Sequence, residues 1–226
     1  MPKPPAERAS AGDVQSFLQR ARSIQQFSGG RPRLIFAIDA TASRQPTWDL
    51  ACELQADMFQ STADIGSLSI QLAWYRGLGE LALNPFQSDA DALAQLMSEV
   101  QCAAGRTQIA ALLKAALRQQ TNTAARALVF IGDAVEESEA LLQDLAGRCR
   151  LQNLPLFIFQ EGSDKSAQRC FTALARISGG AYEHFDQGSP GRLAELLGAV
   201  ARYAAGGRAA LENSNSAGAR RLLKQL

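Results

Sequence analysis

Three short apolar runs constrain this chain most: Leu34-Ile35-Phe36-Ala37-Ile38, Ala127-Leu128-Val129-Phe130-Ile131 and Leu154-Pro155-Leu156-Phe157-Ile158-Phe159. A strand buried on both faces has no solvent side to impose polar alternation, so it reads as a continuous run of large apolar residues. Between the runs, apolar residues recur at helical spacing, as in Leu50, Ala51, Leu54, Met58 and Phe59, or Ile109, Leu112, Leu113, Ala116 and Leu117. Leu93, Leu96, Met97 and Val100 mark a further helix, as do Leu141, Leu142 and Leu145. Buried strands alternating with amphipathic helices imply right-handed crossovers and a mostly parallel sheet with helices on both faces.

The remaining strands differ in kind. Leu68, Ile70, Leu72 and Trp74 alternate with less apolar neighbours. Arg76-Gly77-Leu78-Gly79 is too short for a crossover before Leu81-Ala82-Leu83, so that segment is expected as an antiparallel edge strand, ended by Pro85. Cys170, Phe171, Leu174 and Ile177 form a helix closed by Gly179-Gly180, and Ala181 to Phe185 supplies a last strand before Leu193, Leu196, Leu197 and Val200. The prediction is a six-stranded, doubly wound α/β domain over residues 33–205. Residues 1–32 form an N-terminal extension whose Val14, Phe17, Leu18, Ala21 and Ile24 predict an amphipathic helix. Residues 206–226 read as a tail outside the core: Gly, Ala, Ser and Asn dissolve the pattern, and the basic, apolar end from Ala219 to Leu226 suits a docking segment.

Composition removes several function classes. Lys plus Arg number 23 against 22 for Asp plus Glu, so no global field gathers nucleic acid or an anionic membrane. No run long enough to span a bilayer and no signal-peptide h-region is seen, and Cys52, Cys102, Cys149 and Cys170 form no C-x-x-C pair. A cytoplasmic, reducing setting is expected. His184 is the only histidine, which excludes sites needing two imidazoles, and neither G-x-G-x-x-G after the first strand nor a P-loop is present.

Chemistry concentrates at strand ends. Asp39-Ala40-Thr41-Ala42-Ser43 places oxygen-bearing side chains at alternate positions just beyond the first apolar run. Such oxygens are hard ligands, suited to Mg²⁺ or Mn²⁺. Gly105-Arg106-Thr107 opens a helix, and Ile131-Gly132-Asp133 ends a later strand. If the strands bearing Asp39 and Asp133 are neighbours whose connections run in opposite directions, both acids lie at a topological switch point, where open α/β sheets bind ligands. Glu136 and Glu137 follow Asp133 and suit either the rim of such a site or the N-terminus of the helix beginning near Ser138.

This order resembles the von Willebrand factor A domain with its metal-ion-dependent adhesion site, over roughly residues 33–205. The family pattern of Asp-x-Ser-x-Ser, then Thr, then Asp falls on Asp39, Thr41 and Ser43, then Thr107, then Asp133, with Thr41 keeping the hydroxyl of the Ser it replaces. Arg106 and Ala134 stand where similar proteins often carry Gly. The resemblance implies a three-layer Rossmann-like fold and a non-enzymatic protein-interaction module, in which a bound Mg²⁺ or Mn²⁺ takes up a carboxylate from a protein partner. Arg44, Trp48 and Arg106 flank the site as candidate partner contacts, since Trp and Arg are enriched at binding hot spots.

Two other classes are compatible with these residues: a metal-free assembly scaffold that uses its helices or tail, and a Rossmann-like hydrolase that uses Asp39. Haloacid-dehalogenase-type chemistry needs a second acid two residues after the strand Asp, where Thr41 stands.

Overall fold

The computed structural model describes residues 31–186 and 190–226; the helix expected between Ser10 and Phe27 lies outside the described residues. In chain order the elements are β1 (Arg33–Asp39), a 3₁₀ turn (Ala42–Arg44), α1 (Gln45–Gln60), β2 (Ser69–Arg76), β3 (Glu80–Leu83) and α2 (Ala90–Ser98). Then follow α3 (Ile109–Thr123), β4 (Ala127–Gly132), α4 (Glu139–Leu151), β5 (Leu156–Glu161), α5 (Lys165–Ser178), β6 (Tyr182–Phe185), α6 (Pro190–Glu212) and α7 (Ala217–Leu223). The strands form one six-stranded sheet in the order β3-β2-β1-β4-β5-β6. Every pairing is parallel except that of β2 with β3, the hairpin expected from its short glycine-bearing connection.

The apolar runs occupy β1, β4 and β5, in the middle of the sheet. Their alternate residues feed two cores. Leu34, Phe36, Ile38, Val129, Ile131, Phe157 and Phe159 face one side with Met58, Leu93, Leu196 and Val200. Ile35, Ala37, Leu128, Phe130, Leu156 and Ile158 face the other with Leu112, Leu145 and Leu174. Helices α1, α2 and α6 therefore cover one face and α3, α4 and α5 the other, giving three layers. In β2, Tyr75 is buried on the face opposite Ile70 and Leu72, so this strand is filled from both sides rather than half exposed.

The C-terminal segment corrects the expectation of a tail. Gly207 breaks α6 at φ 69° and ψ −162°, a conformation that favours glycine, and the chain resumes helix to Glu212. Leu211, Ala219 and Leu222 are fully buried in the same core as Leu196. Small residues make this possible: a Cβ on Gly218 would fall 2.2 Å from the carbonyl oxygen of Glu195, so α7 approaches α6 backbone to backbone. Gln225 then pairs with the open edge of β6. Its amide accepts the Tyr182 N–H at 2.9 Å and donates to the Tyr182 carbonyl at 2.8 Å, as a neighbouring strand would.

Candidate metal and partner site

Because β1 and β4 are adjacent and parallel, with Ile38 opposite Ile131, Asp39 and Asp133 leave the sheet side by side at its carboxyl edge. The chain goes from β1 to β2 on one side and reaches β4 on the other, so the two acids flank the switch point.

Asp39 is buried, and its carboxylate is held at both oxygens. Oδ1 accepts the Thr41 N–H at 2.8 Å, and Oδ2 accepts the Tyr75 hydroxyl at 3.0 Å. Burial raises its pKa above the usual carboxylate value, against the lowering effect of these hydrogen bonds, and the Asp133 charge adds to the rise. Tyr75 is pushed well above the ordinary phenol value, first by burial and then by Asp39. The hydroxyl is therefore a fixed donor, its ring stacked 6.2 Å from that of Phe130.

The second loop is tied to the first. Ala103 forms a parallel bridge with Thr41, and its N–H donates to the Ala40 carbonyl at 3.1 Å. Gly105 passes so close to the β2–β3 hairpin that an added Cβ would lie 2.3 Å from the Gly77 carbonyl oxygen, so only glycine fits there. The next N–H, of Arg106, donates to that same oxygen at 3.2 Å, while the Arg106 residue itself is exposed. Thr107 is buried and clasps the third loop: its hydroxyl oxygen accepts the Glu136 N–H at 3.0 Å, and its own N–H donates to Glu136 Oε2 at 2.9 Å.

The acids after Asp133 serve a different helix from the one expected. Glu137 accepts the N–H groups of Ile109 and Ala110 at 2.8 and 2.7 Å, and so caps α3 rather than its own α4. This capping holds the Thr107 loop against the Asp133 loop.

Two candidate partner contacts are corrected. Trp48 is 1% exposed, and its indole N–H donates to the Met97 carbonyl at 3.1 Å, so it anchors α1 in the core and presents nothing to a partner. The Arg44 side chain is 11% exposed and points inward. Its Nη2 lies 3.1 Å from Asp133 Oδ2, its Nη1 bonds Glu161 Oε2, and its Nε reaches Ser43 Oγ at 3.4 Å.

Glu161 was not among the expected site residues. It is buried at the end of β5 and also accepts the Thr47 hydroxyl. Its signal was present in the sequence, since β1, β4 and β5 each run from apolar residues into an acid.

Among the described residues no three His, Cys, Asp or Glu side chains cluster as a metal-binding group. A cation here would rest on two carboxylates supplemented by hydroxyls. That donor set is all oxygen and fits a hard ion, with Asp39 and Asp133 close enough to act on one another electrostatically.

No protein-family model and no curated protein matches this sequence. Solved structures match its shape. The SpRpn10 VWA domain is 14% identical with a TM-score of 0.54, over 70% of this chain and 89% of that one. A von Willebrand factor type A protein from Catenulispora acidiphila is 16% identical with a TM-score of 0.62, over 79% of this chain and 43% of that one. Manganese-loaded Plasmodium vivax TRAP protein is 14% identical with a TM-score of 0.51, over 70% of each chain. The chain thus has the three-layer Rossmann-like fold of von Willebrand factor A domains.

Proposed function

We propose that this chain is a non-enzymatic protein-interaction module in which Asp39, Thr41, Ser43, Thr107 and Asp133 hold a divalent cation, Mg²⁺ or Mn²⁺. The observation that carries the reading is the convergence of three loops at the switch point. Asp39 and Asp133 emerge from adjacent strands, Thr41 is bridged to the loop before Thr107, and Thr107 is clasped to the loop after Asp133.

A hard ion held by these oxygens would keep water at its remaining positions, and a carboxylate supplied by a protein partner would replace one such water. A neighbour of the same fold is manganese-loaded, which supports a divalent ion in a domain of this shape. Exposed Arg106, next to Thr107, draws the partner's acid toward the site. All four cysteines are free, which suits a cytoplasmic, reducing setting. Among the described residues no helix is long and apolar enough to cross a membrane.

Calorimetric titration with Mn²⁺ and Mg²⁺ tests the cation site. Wild type is expected to bind and to melt at a higher temperature with metal, and Asp39→Ala to lose both effects. Binding that survives Asp39→Ala would place the ion elsewhere. With a partner in hand, recovery should fail in EDTA, and Arg106→Glu should slow association and change its salt dependence.

A further inference from the structure

We propose that Arg44 is a tethered competitor for the cation: its guanidinium, held between Asp133 and Glu161, sets how much divalent ion the site needs before it fills. This rests on the cation-binding reading above and concerns the regulation of that same site.

The geometry is specific. Three nitrogens of one guanidinium are placed, with Nη2 3.1 Å from Asp133 Oδ2, Nε 3.4 Å from Ser43 Oγ, and Nη1 on Glu161. Asp133 and Ser43 both belong to the proposed ligand set, so an internal cation already satisfies oxygens that a metal needs. Asp133 must leave Arg44 or share its carboxylate between two like charges, and either costs affinity.

Arg44 is not free to leave. The Glu161 side chain is only 5% exposed, and its carboxylate oxygen Oε2 meets the Thr47 hydroxyl and the Arg44 guanidinium. Parting that pair would leave a carboxylate buried without its counter-charge, a large penalty. Arg44 also follows Ser43 directly in the 3₁₀ turn Ala42–Arg44, so it travels with the ligand loop. Asp133 is the looser partner, with a side chain 26% exposed. Filling the site would turn Asp133 away from Arg44, while Glu161 keeps the guanidinium in its buried place.

The test is Mn²⁺ affinity, read by calorimetry and by the free-ion signal in electron paramagnetic resonance. Arg44→Met combined with Glu161→Gln removes both charges and keeps an acceptor for Thr47. Its Kd is expected to fall at least about tenfold below wild type, a difference of about 1.4 kcal/mol. Arg44→Lys leaves a cation on Glu161 but lacks the fork that also reaches Asp133, and should tighten binding by a smaller factor. This second variant preserves the buried charge pair if the double variant folds poorly.

Equal, Asp39-dependent affinity in wild type and both variants would overturn the role of Arg44 while leaving the cation site standing. Absence of Asp39-dependent binding in all of them would overturn the cation reading, and the role of Arg44 with it.

Discussion

Replacing Leu222 with Ala probes whether residues 206–226 belong to the folded core. Leu222 is fully buried on α7, in one cluster with Leu196, Leu197 and Leu211 of α6. Truncation removes the transfer energy of the lost carbons and leaves a cavity that the surroundings close only partly; buried Leu→Ala changes cost ~2–5 kcal/mol. A value of about 3 kcal/mol is expected, because α7 is short, lies at the end of the chain and is able to settle inward. In a domain of this size each kcal/mol moves Tm by about 2–4 °C, so the melting temperature should fall by about 6–12 °C. Urea unfolding followed by circular dichroism gives the free energy directly, with an unchanged m-value showing that the native state stays compact. Lys224→Ala, at an exposed position of the same segment, is the control and should be nearly neutral. A Leu222→Ala loss below about 0.5 kcal/mol, the size typical of surface positions, would refute the packing argument.

Glu137→Ala removes the acceptor of two α3 N–H groups and should cost ~1–2 kcal/mol in urea unfolding, as loss of a helix cap does. The same change should weaken Mn²⁺ binding by releasing the Thr107 loop, whereas Glu139→Ala, on the exposed start of α4, should cost only the ~0.3–1 kcal/mol of a first-turn acid and leave Mn²⁺ binding unchanged. Burial pushes the Cys149 thiol up to about 12, so the folded state keeps the proton after the unfolded chain has released it. The stability this thiol contributes is complete below its unfolded value and is lost as pH rises toward about 12; Cys149→Ala should flatten that alkaline decline in thermal melts.

The fold was legible where a residue's surroundings can be read from its own neighbours in sequence. Continuous apolar runs placed β1, β4 and β5 in the sheet interior, and the short connection at Gly77 and Gly79 required β3 to turn back. The reading failed where packing is made by small residues. Gly206, Gly207 and Gly218 have no side chains with which to announce a buried face, yet Gly218 is what lets α7 reach the backbone of α6. A glycine-rich stretch between helices is therefore ambiguous between a linker and a close contact, and only the partner helix decides. Tyr75 shows the same ambiguity in a strand: as the less apolar position in an alternating pattern it reads as exposed, but α3 and β4 cover it and Asp39 takes its hydroxyl.

At the site, residue types and spacing pointed to Asp39, Thr41, Ser43 and Asp133 because a strand end fixes where the next side chains emerge, and to Thr107 because it stands just ahead of a helix. What spacing could not supply was the pairing among loops. Glu136 and Glu137 stand beside the helix they precede, so proximity in sequence assigns them to α4, while their carboxylates meet the N–H groups of Thr107, Ile109 and Ala110. Arg44 was misplaced for the same reason. An arginine after a hydroxyl-rich loop looks outward until the buried acid at the end of β5 is known to lie within reach. Once Glu161 is in view the inward turn follows, since a carboxylate so enclosed requires a cation, and Arg44 bonds its Oε2. The same requirement makes Arg44 a resident of the site rather than a visitor to it, and any ion that Asp133 takes up must compete with a charge the fold itself provides.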